Sequence, residues 1–133
     1  MARRRSLLLV LLVLLTGCGT GGDREEARAA VERLYAAIEH DDGDAACREL
    51  STATALALAE QDGRPCGRAI AALDLRGSAV VGTRVYITNA KVDLRSGESA
   101  FVEREPSGWK IAALGCRKRG DAQSRPFDCE AES

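Results

Sequence analysis

The 133-residue chain has few aromatic side chains: one Trp, two Tyr and two Phe, 4% of the residues. With so few, Trp109 and Phe101 are needed first for a core, and only then for lining a cavity. His40 is the single histidine, so any imidazole base would have to be that residue. No two cysteines stand two residues apart, which excludes the usual zinc knuckle and the redox spacing that lowers a thiol pKa. Nowhere do basic residues form a block, and phosphate contact needs a concentrated basic face, so nucleic-acid binding is excluded as a leading function. The longest apolar run, residues 7–15, holds nine Leu and Val residues. A bilayer crossing takes about 20.

What is present at the start has a different logic. Arg3, Arg4 and Arg5 precede that run, and small residues follow it, which is the pattern of an export signal. The segment ends Leu15-Thr16-Gly17-Cys18, which resembles the lipobox of bacterial lipoproteins. That resemblance implies diacylglycerol on the Cys18 thiol and cleavage just before it. Residues 1–17 are then a signal peptide, residues 18–24 a lipidated cysteine with a short tether, and residues 25–133 a single domain. More than one acyl chain makes anchoring stable, at about 0.8 kcal/mol per buried CH₂. The expected address is the cell membrane, lipid-anchored, on the extracytoplasmic side. The tether Gly19-Thr20-Gly21-Gly22 reaches about 14 Å at most, so the domain should sit close to the headgroups. Three of the 19 basic residues leave with the leader, so 16 face 20 acidic ones, a net charge of about −4.

With Cys18 assigned to lipid, Cys47, Cys66, Cys116 and Cys129 remain. An even number in a small exported domain reads as two disulfides. Three connectivities exist. Cys47–Cys66 with Cys116–Cys129 is favoured, because each pair is close in sequence and the two lie in different segments.

Residues 23–40 predict a helix, with Ala27, Ala30, Val31, Leu34 and Ile38 on one face. Asp23, Glu25 and Glu26 suit its N-terminus. Asp44 can cap a second short helix, Ser51 or Thr52 a third through residue 60, and residues 66–75 form a fourth. The period then changes to two. Residues 79–88, 90–95, 100–105 and 109–113 read as strands, with turns at 95–98 and 106–108. Trp109, Ile111 and Ala113 are expected to share a face. The tail after Arg117 is polar and would be loose without Cys129. Helices followed by an antiparallel meander argue for α+β, with helices packed on a curved sheet of about four strands.

Gly108-Trp109-Lys110-Ile111, taken with Asp42-Gly43-Asp44-Ala45-Ala46-Cys47, resembles the nuclear-transport-factor-like superfamily, a cystatin-like cone. Trp109-Lys110-Ile111-Ala112, Gly115-Cys116 and Pro126-Phe127-Asp128-Cys129-Glu130 resemble a group of small actinobacterial lipoproteins of that fold. Arginine-rich, lysine-poor composition agrees with a high-GC genome. Some enzymes of the superfamily, such as ketosteroid isomerases, use a helix tyrosine with buried aspartates, which draws attention to Tyr35.

His40 beside Asp41 and Asp42 could be a general base, but a helix-end histidine explains it more simply. Asp41, Asp42 and Asp44 lack the closing acid of a calcium loop. A possible pocket would be lined by Tyr35, Phe101 and Trp109, with no metal and no cofactor. The leading expectation is a non-enzymatic, lipid-anchored binding domain whose partner is an envelope protein or a small apolar ligand. The alternatives are a small isomerase- or hydrolase-like enzyme using Tyr35 and a carboxylate, and a structural accessory subunit of an envelope complex.

Overall fold

A computed structural model describes residues 21–120 and 124–133; the leader and Cys18 lie outside the described residues. The first element is α1 (Gly21–Glu39). It takes in Gly21 and Gly22, which were expected to belong to the tether. Ala27, Ala30, Val31 and Leu34 recur at three- and four-residue steps, and all four are fully buried. Asp23 lies in its first turn, where a carboxylate meets the positive end of the helix dipole.

Three short helices follow: α2 (Gly43–Glu49), α3 (Thr52–Asp62) and α4 (Cys66–Ala71). Asp42, not Asp44, caps α2, its Oδ1 accepting from the Ala45 N–H at 2.9 Å. Ser51 caps α3 as expected, accepting from the Thr54 N–H at 3.3 Å. Helix α4 stops at Ala71, short of the expected 75, and Leu73 and Leu75 pack against the core from outside the helix. Helices α2 and α4 cross almost backbone to backbone. A Cβ on Gly43 would lie 2.0 Å from the Gly67 carbonyl oxygen, and one on Gly67 would lie 2.1 Å from Asp44 Oδ1. The Cys47–Cys66 disulfide joins the same two helices.

The sheet is antiparallel and has six strands, two more than the sequence suggests. Strands β1 (Val80–Tyr86), β2 (Asn89–Leu94), β3 (Ser99–Glu105) and β4 (Gly108–Lys118) form a meander in sequence order. The extra strands are β5 (Phe127–Asp128) and β6 (Ala131–Glu132), two residues each, both paired with β4. The tail is thus held by ladder hydrogen bonds as well as by the Cys116–Cys129 disulfide. Leu50 bridges Ile111, so an edge of β4 that would otherwise expose unpaired backbone is covered.

The alternation of β4 is broken twice. Val102 pairs with Ile111 and Phe101 with Ala113, so Ala112 is an extra residue; a second irregularity lies between Ala113 and Cys116. The first bulge reverses the phase. Ala113 therefore does not share the face of Trp109 and Ile111, as strict alternation requires. Leu114 takes that face and is fully buried in the core, while Ala113 lies beside Phe101 and Phe127. The core sits between α1 and one sheet face, where Leu34 and Val31 meet Val92, Val102, Ile111 and Leu114. Burying side chains of this kind contributes about 1.5–3 kcal/mol each.

Candidate functional site: grooves around Lys110

The three aromatic residues expected to line one pocket occupy three separate places. Trp109 is buried, and the Arg104 guanidinium lies over its ring at 5.0 Å. Phe101 lies on the opposite sheet face, edge-on to Phe127 at 5.1 Å. Tyr35 is buried on α1 near the other end of the sheet, its ring close against Gly77.

Tyr35 has a carboxylate neighbour that sequence reading missed. Glu98 stands in the β2–β3 turn and is 1% exposed. Its two oxygens accept from the Arg76 N–H at 3.2 and 3.3 Å, and one also accepts from Arg117 Nη2 at 2.8 Å. Arg117 further donates to Glu130 at 3.2 Å and to the Asp74 carbonyl at 3.0 Å. This ion pair therefore ties together the segment after α4, the β2–β3 turn, β4 and the tail. Burial pushes the Tyr35 hydroxyl well above its ordinary pKa, the Glu98 charge adds to that, and Arg117 partly offsets it. Among the described residues the hydroxyl has no hydrogen-bond partner. Tyr35 borders a depression of about 260 Å³ shared with Glu32 and Glu39, but Glu98 lines none of the described cavities. A carboxylate already engaged by a guanidinium and a backbone N–H is poorly placed to take up a substrate proton.

The larger recesses lie at the opposite end of the sheet. One, of about 530 Å³, runs between the first turns of α1 and the start of β4, lined by Glu25, Glu26, Arg33, Glu49, Trp109 and Lys110. Arg33 is committed to Glu49 through two hydrogen bonds, 3.0 and 2.9 Å, that clip α1 to α2. Glu25 and Glu26 make no ion pair among the described residues. The second recess, about 430 Å³, is mostly apolar, with Arg48 and Glu105 also on its wall, and lies between α2, α3 and the β3–β4 turn. Leu50, Ala55, Leu56, Ala59 and the Cys47–Cys66 disulfide line it. The two recesses share Ser107 and Lys110, and Lys110 Nζ donates to the Arg48 carbonyl at 2.6 Å on the ridge between them. The α3 wall is fixed by a buried pair: Ser51 and Thr54 hydroxyls lie 2.9 Å apart, and Thr54 donates to the Ala112 carbonyl at 2.8 Å.

The remaining polar candidates have local explanations. His40 and Asp41 are exposed in the turn after α1, Asp41 with φ of 56°. Asp42 is the α2 cap. Burial alone would raise the Asp93 carboxyl, but hydrogen bonds from Lys91 and Ser99, with the charges of Lys91 and Arg84, hold it below the ordinary range. Among the described residues, no three His, Cys, Asp or Glu side chains are grouped to hold a metal ion. No family model, curated protein or solved structure matches this chain.

Proposed function

We propose that this protein is a lipid-anchored, extracytoplasmic binding domain with no catalytic activity of its own, and that the joined grooves around Lys110 receive a polypeptide partner at the cell envelope. One observation carries the reading. A mostly apolar groove with a 59% exposed leucine, Leu56, meets two carboxylates, Glu25 and Glu26, that have no ion-pair partner among the described residues, across one ridge. A peptide with apolar side chains followed by a basic one satisfies both halves, and exposed apolar surface rimmed by charge is the usual form of such a site. The anchor is supported by the leader pattern and by cysteine arithmetic. Two of the five cysteines pair as 47–66 and two as 116–129, which leaves Cys18 for lipid.

A photoreactive side chain at Leu56 in intact cells should give one discrete adduct, weakened by Glu25→Lys with Glu26→Lys. The same group at Val81, exposed on the edge strand β1, should give none. Identical adducts at both positions would reject the groove. Cys18→Ala should abolish metabolic lipid labelling, and continued labelling would reject the anchor.

A second reading, a small enzyme, has Tyr35 beside buried Glu98 in its favour. A small molecule retained through native mass spectrometry of the membrane-extracted protein, and lost in Tyr35→Phe, would favour it over the binding domain. The cone of the nuclear-transport-factor-like superfamily is part of the same proposal, supported by α1 lying on one face of an antiparallel sheet and by the bulges of β4.

A further inference from the structure

The turn between β1 and β2 exposes apolar surface where a soluble hairpin usually has none. Ile87 is 91% exposed and Tyr86 beside it 56%. Ile87 also has φ of 50°. A β-branched side chain is disfavoured there, and Asn, Asp or Gly would relieve it. A side chain that is both strained and solvated contributes nothing to the fold that a polar turn residue would not supply.

Its position in the fold indicates what covers it. The Arg104 N–H donates to the Thr88 carbonyl at 2.8 Å, so the tip adjoins the end of β3. The Arg104 side chain is paired with Asp23, in the first turn of α1. The start of β1, by contrast, lies beside Tyr35, Ala36 and Glu39 in the second half of that helix. The tip and the amino end of α1 are therefore at one end of the molecule, while α1 carries its other end about 28 Å away. Cys18 precedes Gly21 by three residues, a reach of about 10 Å. A lipid on Cys18 would hold this end, and no other, against the headgroups.

We infer that Tyr86 and Ile87 form a second membrane contact that inserts into the lipid interface beside the acyl anchor and fixes the orientation of the domain. This rests on the lipid-anchored reading above. An aliphatic residue followed to the interface by a tyrosine suits that boundary, where one part of a side chain is apolar and the other wet. Asp23 is neutralised by Arg104, and Arg24, Glu25, Glu26 and Glu103 make no ion pair among the described residues, so one free cation there is outnumbered by three carboxylates. The contact is thus apolar and does not depend on attraction to anionic lipid.

The test uses the full lipidated chain reconstituted in vesicles of phosphatidylethanolamine and phosphatidylglycerol. An environment-sensitive fluorophore is placed on Ile87→Cys and, as the control at the opposite turn, on exposed Arg95→Cys. Emission from position 87 should shift to the blue and be quenched by doxyl-labelled lipid, in high salt as in low, while position 95 shows neither change. Lipid on Cys18 by mass spectrometry with equal solvent exposure at both positions overturns the insertion alone. No lipid on Cys18 and no association with vesicles overturns the anchor and the insertion together. Shielding of position 87 in cell envelopes but not in phospholipid vesicles assigns the tip to a protein and also overturns the inference.

Discussion

At the end of the sheet that carries the β2–β3 turn, charge is buried and cross-linked; at the end that carries the β1–β2 tip, apolar side chains stand in solvent. Glu98 is covered and paired at the first end, and the tail is fastened beside it by β5, β6 and the Cys116–Cys129 disulfide. Ile87, Tyr86 and two open grooves occupy the second. Polar groups are costly to bury and apolar groups costly to expose, so each end departs from the default in its own direction. The first departure is compensated within the fold, by Arg117 and the Arg76 N–H. The second has no compensation among the described residues, and the proposed partner and membrane contact would supply it. Stability concentrated at one end leaves the other free to hold surface and strain.

The largest test of this division is Glu98→Ala. It removes a covered carboxylate with three hydrogen bonds and should cost about 2–4 kcal/mol of unfolding free energy in urea. Below the melting temperature, cross-linking from Leu56 should persist; its loss would show that the two ends are not separable. Next, Gly43→Ala should destabilise by about 1–3 kcal/mol, because the new Cβ meets a backbone carbonyl. Gly67→Ala should cost less, since the atom it meets is the Asp44 side chain, which can turn aside. Equal losses would contradict that ranking.

An effect confined to alkaline solution comes from Tyr35. Its folded pKa is raised by burial and by Glu98, so the folded state holds the proton more tightly than the unfolded one. That contribution is complete below the ordinary tyrosine value of about 10 and is lost as pH rises above it. The Tyr35 share of phenolate absorbance should appear only as the fold opens, and Tyr35→Phe should remove that step. Smallest, and opposite in sign, is Ile87→Asn. Relief of the left-handed conformation should stabilise the domain by about 1 kcal/mol in detergent while reducing contact with vesicles. A destabilised variant would mean that the tip supports the fold after all.

Much of this architecture is legible in the sequence where one period dominates. The apolar stripe from Ala27 to Leu34 marks α1, and Ala90-Val92-Leu94 against Lys91 and Asp93 marks β2. Both disulfides follow from proximity in sequence and from the odd cysteine. What was hidden has physical reasons. Strands of two residues, such as β5 and β6, are too short to show alternation. Three aspartates around Gly43 offer equivalent caps, and only geometry selects Asp42. Phe101 and Trp109 cannot share a pocket because Phe101 alternates with Val102, whose face is that of Ile111; that much was readable. Glu98 follows Ser96-Gly97 and has the appearance of any solvated turn residue, and its burial depends on Arg117, which is remote in sequence. Ile87 gives no warning, because an isoleucine between Tyr86 and Thr88 continues a strand pattern and the turn overrides it.

The extra residue in β4 serves a helix more than the sheet. Deleting Ala112 would leave Ala113 and Leu114 on the faces they now occupy, because plain alternation from Ile111 delivers them there. What would go is a carbonyl outside the regular ladder, the one that receives the Thr54 hydroxyl and seats α3. Ala112 is therefore a joint between two layers. A change at this alanine, which lines neither groove around Lys110, would be felt first at Leu56, as a shift of the wall it stands on.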